Sequence, residues 1–271
     1  MSASDLDGAA ITRSLLLHDP AWSAPVHVVP TTRSTNDDAR RAAAAGEVAG
    51  AAFLADAQSG GRGRGGHVWH SPPGENLYLT VVLRPRIAAT ALSPVTLALG
   101  VAVARVVEDA IARRDAVAIK WPNDVLVDGR KVAGVLVEGQ LRGDRVQSLV
   151  AGVGLNVHAR SFPPPLDDRA TSLILAGATR LDRSALAAAL IAGFVTASAR
   201  FEAEGLAAFL ADLERRDALA GRRVHVGGLV GLAVGVDVSG ALRLRDDHGC
   251  VHAVVAGEAV ALEESGASAP G

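Results

Sequence analysis

The chain holds two lysines, one cysteine, one tyrosine and one methionine in 271 residues. Each scarcity excludes something. A lone Cys250 leaves no intrachain disulfide and no metal site built on several thiolates, and it fits a reducing compartment. Aromatics make up 3% of the residues while hydrophobic residues make up 49%, so the core must be built from alanine, valine and leucine. Charged residues are 21% and the formal net charge is −2, which is not the footprint of a nucleic-acid binder. Asp5 and Asp7 open the chain, and Leu15-Leu16-Leu17 is the one apolar run near the start, so no secretory signal is expected. The uncharged stretch from Ile87 to Ala104 reaches the length of a membrane span. Ser93-Pro94 splits it as an N-cap and first-turn pair, and Leu97, Val101, Ala104, Val107 and Ile111 follow at helical spacing among charged residues. An amphipathic helix of a soluble, cytoplasmic protein is expected there, with no membrane partner.

Because arginine supplies almost every cation, the two positions that keep lysine stand out. Lys120 opens Lys120-Trp121-Pro122-Asn123-Asp124, and Lys131 lies eleven residues on. Such positions suit a compact, mobile ammonium better than a planar guanidinium. Upstream runs Gly60-Gly61-Arg62-Gly63-Arg64-Gly65-Gly66, followed by His67, Val68 and Trp69. Glycines let backbone N–H groups approach an anion, and the arginines add charge. A flexible linker or an RGG-like RNA-binding tract would share this composition. Flanking strand candidates and the negative net charge favour an anion-binding loop, and without a following Gly-Lys-Ser/Thr it is not a nucleotide P-loop.

Other candidates carry two readings each. Lys120, at the end of an apolar strand, either meets an anionic ligand or pairs structurally with Asp124 or Glu138. Asn123 and Asp124 offer oxygens suited to Mg²⁺, or form a plain turn. Gly152-Val153-Gly154-Leu155-Asn156 puts two glycines on one strand face, for close approach by a ligand or another strand, or for a bulge. Ser34 and Thr35 read as helix caps. His67 and His70 lack a third ligand, so a histidine metal site is not expected.

The pattern predicts a strand at Val26 to Val29, and a capping box at Ser34-Thr35-Asn36-Asp37 that opens a helix to Ala45. Strands are expected at Ala51 to Ala57 and Asn76 to Leu83, then the Ser93 helix, then Val117 to Lys120. Val125 to Val127 and Val132 to Val137 read as a hairpin turning at Asp128-Gly129. A strand at Gln147 to Val157 and helices at Ser184 to Glu204 and Leu206 to Ala218 follow. From Arg222 to Leu262, short Val/Leu strands broken by Gly, Ser and Asp predict a small β-barrel. The expected division is a catalytic domain over 1–219, a small barrel over 220–263 and a disordered tail over 264–271.

In their order and spacing these motifs resemble the biotin protein ligase family. Ser34-Thr35-Asn36 is similar to its Ser-Thr-Asn, and Gln58 through Trp69 to its Gly-Arg-Gly-Arg-x-Gly-Arg-x-Trp loop. Lys120 to Asp124 matches its Lys-Trp-Pro-Asn-Asp, Lys131 to Gly134 its Lys-x-Ala-Gly, and Gly152 to Asn156 its Gly-x-Gly-x-Asn. The resemblance covers about Val26 to Leu262. It implies an α+β fold related to class II aminoacyl-tRNA synthetases, a mixed sheet with helices plus a small C-terminal SH3-like β-barrel. It implies an enzyme that activates biotin with ATP as biotinyl-5′-AMP and transfers it to a lysine of a biotin carboxyl carrier domain of acyl-CoA carboxylases, with Mg²⁺ accompanying ATP.

By that resemblance Lys120, Arg62, Arg64 and Lys131 serve the chemistry. Ser34, Thr35, Asn36, Gln58, Arg62, Gly63, Arg64, Lys120, Gly152 and Gly154 line the biotin site. Arg64, Trp69, Lys120, Asn123, Lys131 and Asn156 contact ATP or the adenylate, with Asn123 and Asp124 near the metal. His67 stands where the family has a loop arginine, and Gly65 fills its variable position. The resemblance leaves room for a homodimer. A lipoate ligase shares the fold and the acyl-adenylate logic, and a biotin-responsive repressor would add an N-terminal winged helix-turn-helix. With 25 residues ahead of Val26 and no basic footprint, DNA binding is not expected.

Overall fold

In the computed structural model, which describes residues 5–262, apolar runs of period two assemble into a seven-stranded mixed sheet. Its strands are β1 (Val26–Thr32), β2 (Ala52–Gln58), β3 (Asn76–Leu83), β4 (Val117–Lys120), β5 (Asp124–Val127), β6 (Arg130–Arg142) and β7 (Arg145–Asn156). They lie in the order β1-β2-β3-β7-β6-β5-β4. β1 and β2 are parallel and every other neighbour pair is antiparallel. The β5–β6 hairpin turns where expected, with both Asp128 (φ 48°) and Gly129 (φ 78°) in the left-handed region that a tight two-residue hairpin requires.

β3 is buried at every position, because helices cover both faces. On one side lie α3 (Leu92–Ile111) and α4 (Arg183–Glu204), with α1 (Gly8–His18) against α4; on the other lies α2 (Thr35–Ala44). α3 and α4 are both long and apolar enough to cross a membrane by length and composition, yet here they pack on each other and on the sheet. Leu79, Val81, Leu99, Val103, Leu190 and Phe194 share that core. Opposite, Ala39, Ala43, Ala51, Val82 and Val150 form a thinner layer under α2. Small residues there let α2 sit low on the sheet.

Some expectations shift. α3 starts at Leu92, so Ser93 does not cap it and Pro94 falls inside the first turn, where its missing N–H is tolerated. α1 was not anticipated; Asp7 caps it by accepting from the Ala9 N–H (2.9 Å), and it buries Ile11 and Leu15. The expected helix from Leu206 is cut short: a 3-10 turn leads into α5 (Leu210–Arg215). Arg216 then leaves the helix because its guanidinium pairs with buried Glu108 (2.7 and 2.9 Å) and its carbonyl accepts from the Ile119 N–H (2.6 Å). The chain thus runs beside β4 on its way to the second sheet.

That second sheet is antiparallel, built from β8 (Arg223–Val226), β9 (Leu229–Val236), β10 (Leu242–Arg245), β11 (Val251–Val254) and β12 (Val260–Ala261) in the order β11-β10-β9-β8-β12. Val224, Val226, Leu242 and Leu244 join the same hydrophobic cluster as the large sheet. Buried Trp121 donates its indole N–H to the Gly240 carbonyl across this junction (3.0 Å). The tail expected to be disordered lies outside the described residues.

Candidate active site

One row of register partners crosses the large sheet: Ala55, Tyr78, Gly154, Gly134, Asp124 and Lys120. Paired residues in a sheet share a face, so Lys120, Asp124 and the two glycines look the same way. The next row on that face carries Thr80, Gly152 and Leu136. α2 covers the far part of this face and aims its N-terminus at the rows. Burial pushes the Tyr78 phenol well above its ordinary pKa, and its hydroxyl donates to the Pro72 carbonyl (2.9 Å).

β7 runs in regular register through Gly152 and Gly154, so these glycines form no bulge. They make room for side chains. A Cβ on Gly154 would stand 2.3 Å from Cε2 of Trp69, and one on Gly152 would stand 2.0 Å from Oδ1 of Asn36. The Trp69 indole therefore lies flat on Gly154 and on Gly134, where a Cβ would meet it at 3.1 Å. Its N–H is buried without a hydrogen-bond partner, and the Lys131 ammonium rests 5.2 Å from the ring centroid.

The start of α2 is built differently from a capping box. The Ser34 side chain makes no cap hydrogen bond. The Thr35 N–H instead donates to Oε1 of Gln58 (3.0 Å), brought from the end of β2. Gln58 donates in turn to Ser71 (3.1 Å), whose hydroxyl donates to the Trp69 carbonyl (2.9 Å). Thr80, fully buried, donates to Oδ1 of Asn36 (2.7 Å). With one proton per hydroxyl, Thr35 is then the donor in its 2.9 Å contact with Thr80. Ser34, 2% exposed, keeps a hydroxyl with no partner among the described residues.

The Gly/Arg loop folds as a narrow turn: Gly63 N–H donates to the His67 carbonyl (2.7 Å) and Trp69 N–H to the Gly61 carbonyl (3.0 Å). Its two arginines part company. Arg62 makes a forked pair with Glu138 (3.1 and 2.8 Å) and a third contact with Asp37 (2.9 Å). Arg64 donates to the Gly257 carbonyl of the second sheet (2.8 Å) and lies 6.0 Å from the Trp121 ring centroid. No carboxylate faces it among the described residues. His67 stands 3.8 Å from Glu258 on the same turn.

The two lysines also differ. The Lys131 ammonium pairs with Asp124 at 2.6 Å. Lys120 is half-buried and pairs with neither Asp124 nor Glu138, nor with any other group among the described residues. The Asn123 amide donates to the Val135 carbonyl (3.0 Å) and Asp124 is held by Lys131, so the two do not form a cage for a metal. Among the described residues no cluster of three His, Cys, Asp or Glu could hold an ion. Asn156 gives its amide to the Thr171 carbonyl (2.9 Å) and so fixes the 169–171 segment, which runs alongside Lys131.

Comparison with known proteins narrows the assignment. The sequence model of the Biotin/lipoate A/B protein ligase family matches residues 28–156. The biotin–acetyl-CoA-carboxylase ligase of Mycobacterium tuberculosis is 34% identical over 260 residues, 95% of this chain and 93% of that protein. The chain belongs to the biotin protein ligase family. The bifunctional ligase/repressor BirA of Bacillus subtilis is 34% identical over 206 residues, 74% of this chain. A solved biotin protein ligase from Aquifex aeolicus, in complex with biotin and ATP, aligns at a TM-score of 0.75 and 27% identity, covering 90% of this chain and 100% of that one. The chain spans 42% to 63% of the length of the ligase/repressors it matches in two Bacillus species and Escherichia coli. The mixed sheet with helices implied by the resemblance is thereby established, and the second antiparallel sheet is consistent with the expected small barrel-like domain.

Within this biotin protein ligase fold, sequence reasoning missed Thr80, Ser71, Asp37 and Gly257. It had Glu138 only as a partner for Lys120. Thr80 is brought in by the register of the sheet and Gly257 from beside the second sheet, while Asp37 was read only as part of a capping box and Ser71 lies two residues past Trp69.

Proposed function

We propose that the chain is an ATP-dependent ligase that forms biotinyl-5′-AMP and passes the biotinyl group to a lysine of a biotin carboxyl carrier domain. One observation carries this reading: of the four cations around the site, Lys120 and Arg64 have no carboxylate partner. An ammonium and a guanidinium left uncompensated beside a glycine loop are an electrostatic invitation to an anion. Arg62 and Lys131 are already neutralised by Glu138, Asp37 and Asp124.

In the first step a biotin carboxylate oxygen attacks the α-phosphorus of ATP, and the bond to the bridging oxygen breaks with release of pyrophosphate. The reaction brings a carboxylate against a polyanion. Lys120 suits this point because a mobile ammonium can follow the charge as it moves from nucleophile to leaving group. The Ser34 hydroxyl is the free polar group for the ureido ring, since Thr35 and Gln58 already hold each other. Trp69 offers its outer face to adenine, with Gly134 and Gly154 seating the indole. In the second step the carrier ε-amine attacks the acyl carbonyl, AMP leaves with the electron pair, and the amine proton passes to solvent. Mg²⁺ would arrive with the ATP phosphates and lower the barrier by screening their charge. Asp124 would hold the ion only by giving up its pair with Lys131.

Family membership leaves lipoate as the second acid to weigh, since the matching family model joins the two ligases. ATP–pyrophosphate exchange, run with biotin and with lipoate, separates them. Exchange with biotin alone supports the proposal, and exchange with lipoate alone contradicts it. A cytoplasmic location follows from the proposed carrier substrates.

A further inference from the structure

Glu138 stands on the same face of β6 as Gly134 and Leu136, two positions beyond the row that carries Gly152. Its carboxylate gathers two segments of chain onto β6, the Gly/Arg loop and the start of α2. Oε1 accepts from Nη1 of Arg62 at 3.1 Å. Oε2 accepts from Nη2 of Arg62 at 2.8 Å and from Nδ2 of Asn36 at 2.7 Å. Asp37 adds a second carboxylate to the same guanidinium at 2.9 Å.

Two carboxylates around one guanidinium leave this corner net negative. That is a poor setting for drawing in either a carboxylate or a polyphosphate, so Arg62 is not placed to act as an anion contact. A forked Arg–carboxylate pair fixes orientation as well as distance. With its Nδ2 turned to Glu138, Asn36 must present Oδ1 to Thr80 and lie over the bare backbone of Gly152. The carboxylate thus sets both the first arm of the Gly/Arg loop and the start of α2.

We infer that Glu138 is a positioning residue of the adenylation site, and that Arg62 serves as the strap by which it holds the loop. The inference rests on the biotin-adenylating reading above. It assigns the two loop arginines different work. Arg62 ties the loop to the sheet, while Arg64 keeps its charge available beside Trp121.

The test uses Glu138→Gln and Glu138→Ala in the full chain, with biotin-dependent pyrophosphate exchange at varied biotin and at varied ATP. All three groups that converge on Glu138 are donors, so glutamine keeps the shape but turns an amide N–H₂ against one of them. Both variants should raise the KM for biotin about tenfold or more, the scale set by losing a charge-assisted hydrogen bond. The KM for ATP should stay within about twofold, because the disturbed groups lie on the Gly152 row and not beneath Trp69. Adding Arg62→Ala to Glu138→Ala should cost well short of the product of the single losses, as expected of two residues that act through one another. If the alanine variant does not fold by circular dichroism, the glutamine variant decides. Wild-type KM for biotin in the variants, equal loss for both substrates, or fully multiplicative losses would overturn the assignment of Glu138 while leaving the proposed activity standing. Absence of biotin-dependent exchange in the unaltered protein would overturn both.

Discussion

Gly154→Ala offers the sharpest test of how the site is built. A Cβ there would stand 2.3 Å from Cε2, 2.5 Å from Nε1 and 2.7 Å from Cζ2 of Trp69. Carbon atoms rest at roughly 3.5–4.0 Å, so the indole must rise by more than about 1 Å. The extended, in-register backbone of β7 accepts alanine, so the strain falls on packing alone. Forcing a methyl into a filled space costs about 1–3 kcal/mol. Trp69 is the neighbour most able to yield: it sits on the Gly/Arg loop, and its buried N–H forgoes a hydrogen bond where it now lies. The cost should therefore appear in the site and not in the fold. Tm should change by no more than a few degrees, while the KM for ATP rises by roughly 5- to 150-fold, the kinetic equivalent of that range. Lys131, 5.2 Å over the ring, would lose its seat with the indole. Trp69→Ala in the same chain should relieve the clash, making the double variant no worse than Trp69→Ala alone. A wild-type KM for ATP in Gly154→Ala, or a double variant that multiplies the two losses, would refute the reasoning.

Further outcomes follow from the same geometry. Lys120→Ala should abolish exchange with the circular dichroism spectrum and Tm unchanged, since the ammonium holds no partner in the fold; Lys120→Arg should also be poor, and normal exchange by either folded variant would remove Lys120 from the chemistry. Arg64→Gly should form adenylate but lose it faster, by the ~1.5–3 kcal/mol of one charge-assisted contact, read as the dissociation rate of labelled adenylate; unchanged retention would count against a ligand contact. Ending the chain after Ala220 would remove the acceptor of the Trp121 indole and part of the shared core, so Tm should fall and exchange should be lost; full activity of that fragment would contradict a role for the second sheet. Burial raises the carboxyl pKa of Asp217, so its ionised form is disfavoured in the folded state and stability falls as pH rises from the unfolded toward the folded value. Asp217→Asn, which keeps an acceptor for the Leu219 N–H, should raise Tm at about pH 7 with a gain that shrinks toward about pH 4.

Much of the fold was legible because its signals are local. Asn76 to Leu83 is a strand by its own run of apolar and β-branched residues and ends before Pro85; Asp128-Gly129 dictates a hairpin whatever surrounds it. The site was legible as a list of residues and not as an arrangement. Arg62 and Arg64 look alike between glycines, yet one partner lies 76 residues away on β6 and the other 193 residues away on the second sheet. Ser34 reads as a cap, but its side chain makes no cap hydrogen bond, while the N–H of Thr35 goes to Gln58, 23 residues beyond Thr35. Gly152 and Gly154 announce a close approach without saying whose; the occupants are Asn36 and Trp69. Partners distant in sequence are the part a motif cannot carry.

The central claim is adenylate-mediated biotin transfer, and its direct measurement is incorporation of labelled biotin into an apo carrier domain with the full chain and MgATP. The account predicts ATP-dependent label on a single carrier lysine, biotinyl-5′-AMP isolable when the acceptor is left out, and no incorporation of lipoate. A folded protein that leaves the carrier unlabelled, or that transfers lipoate in place of biotin, would contradict it.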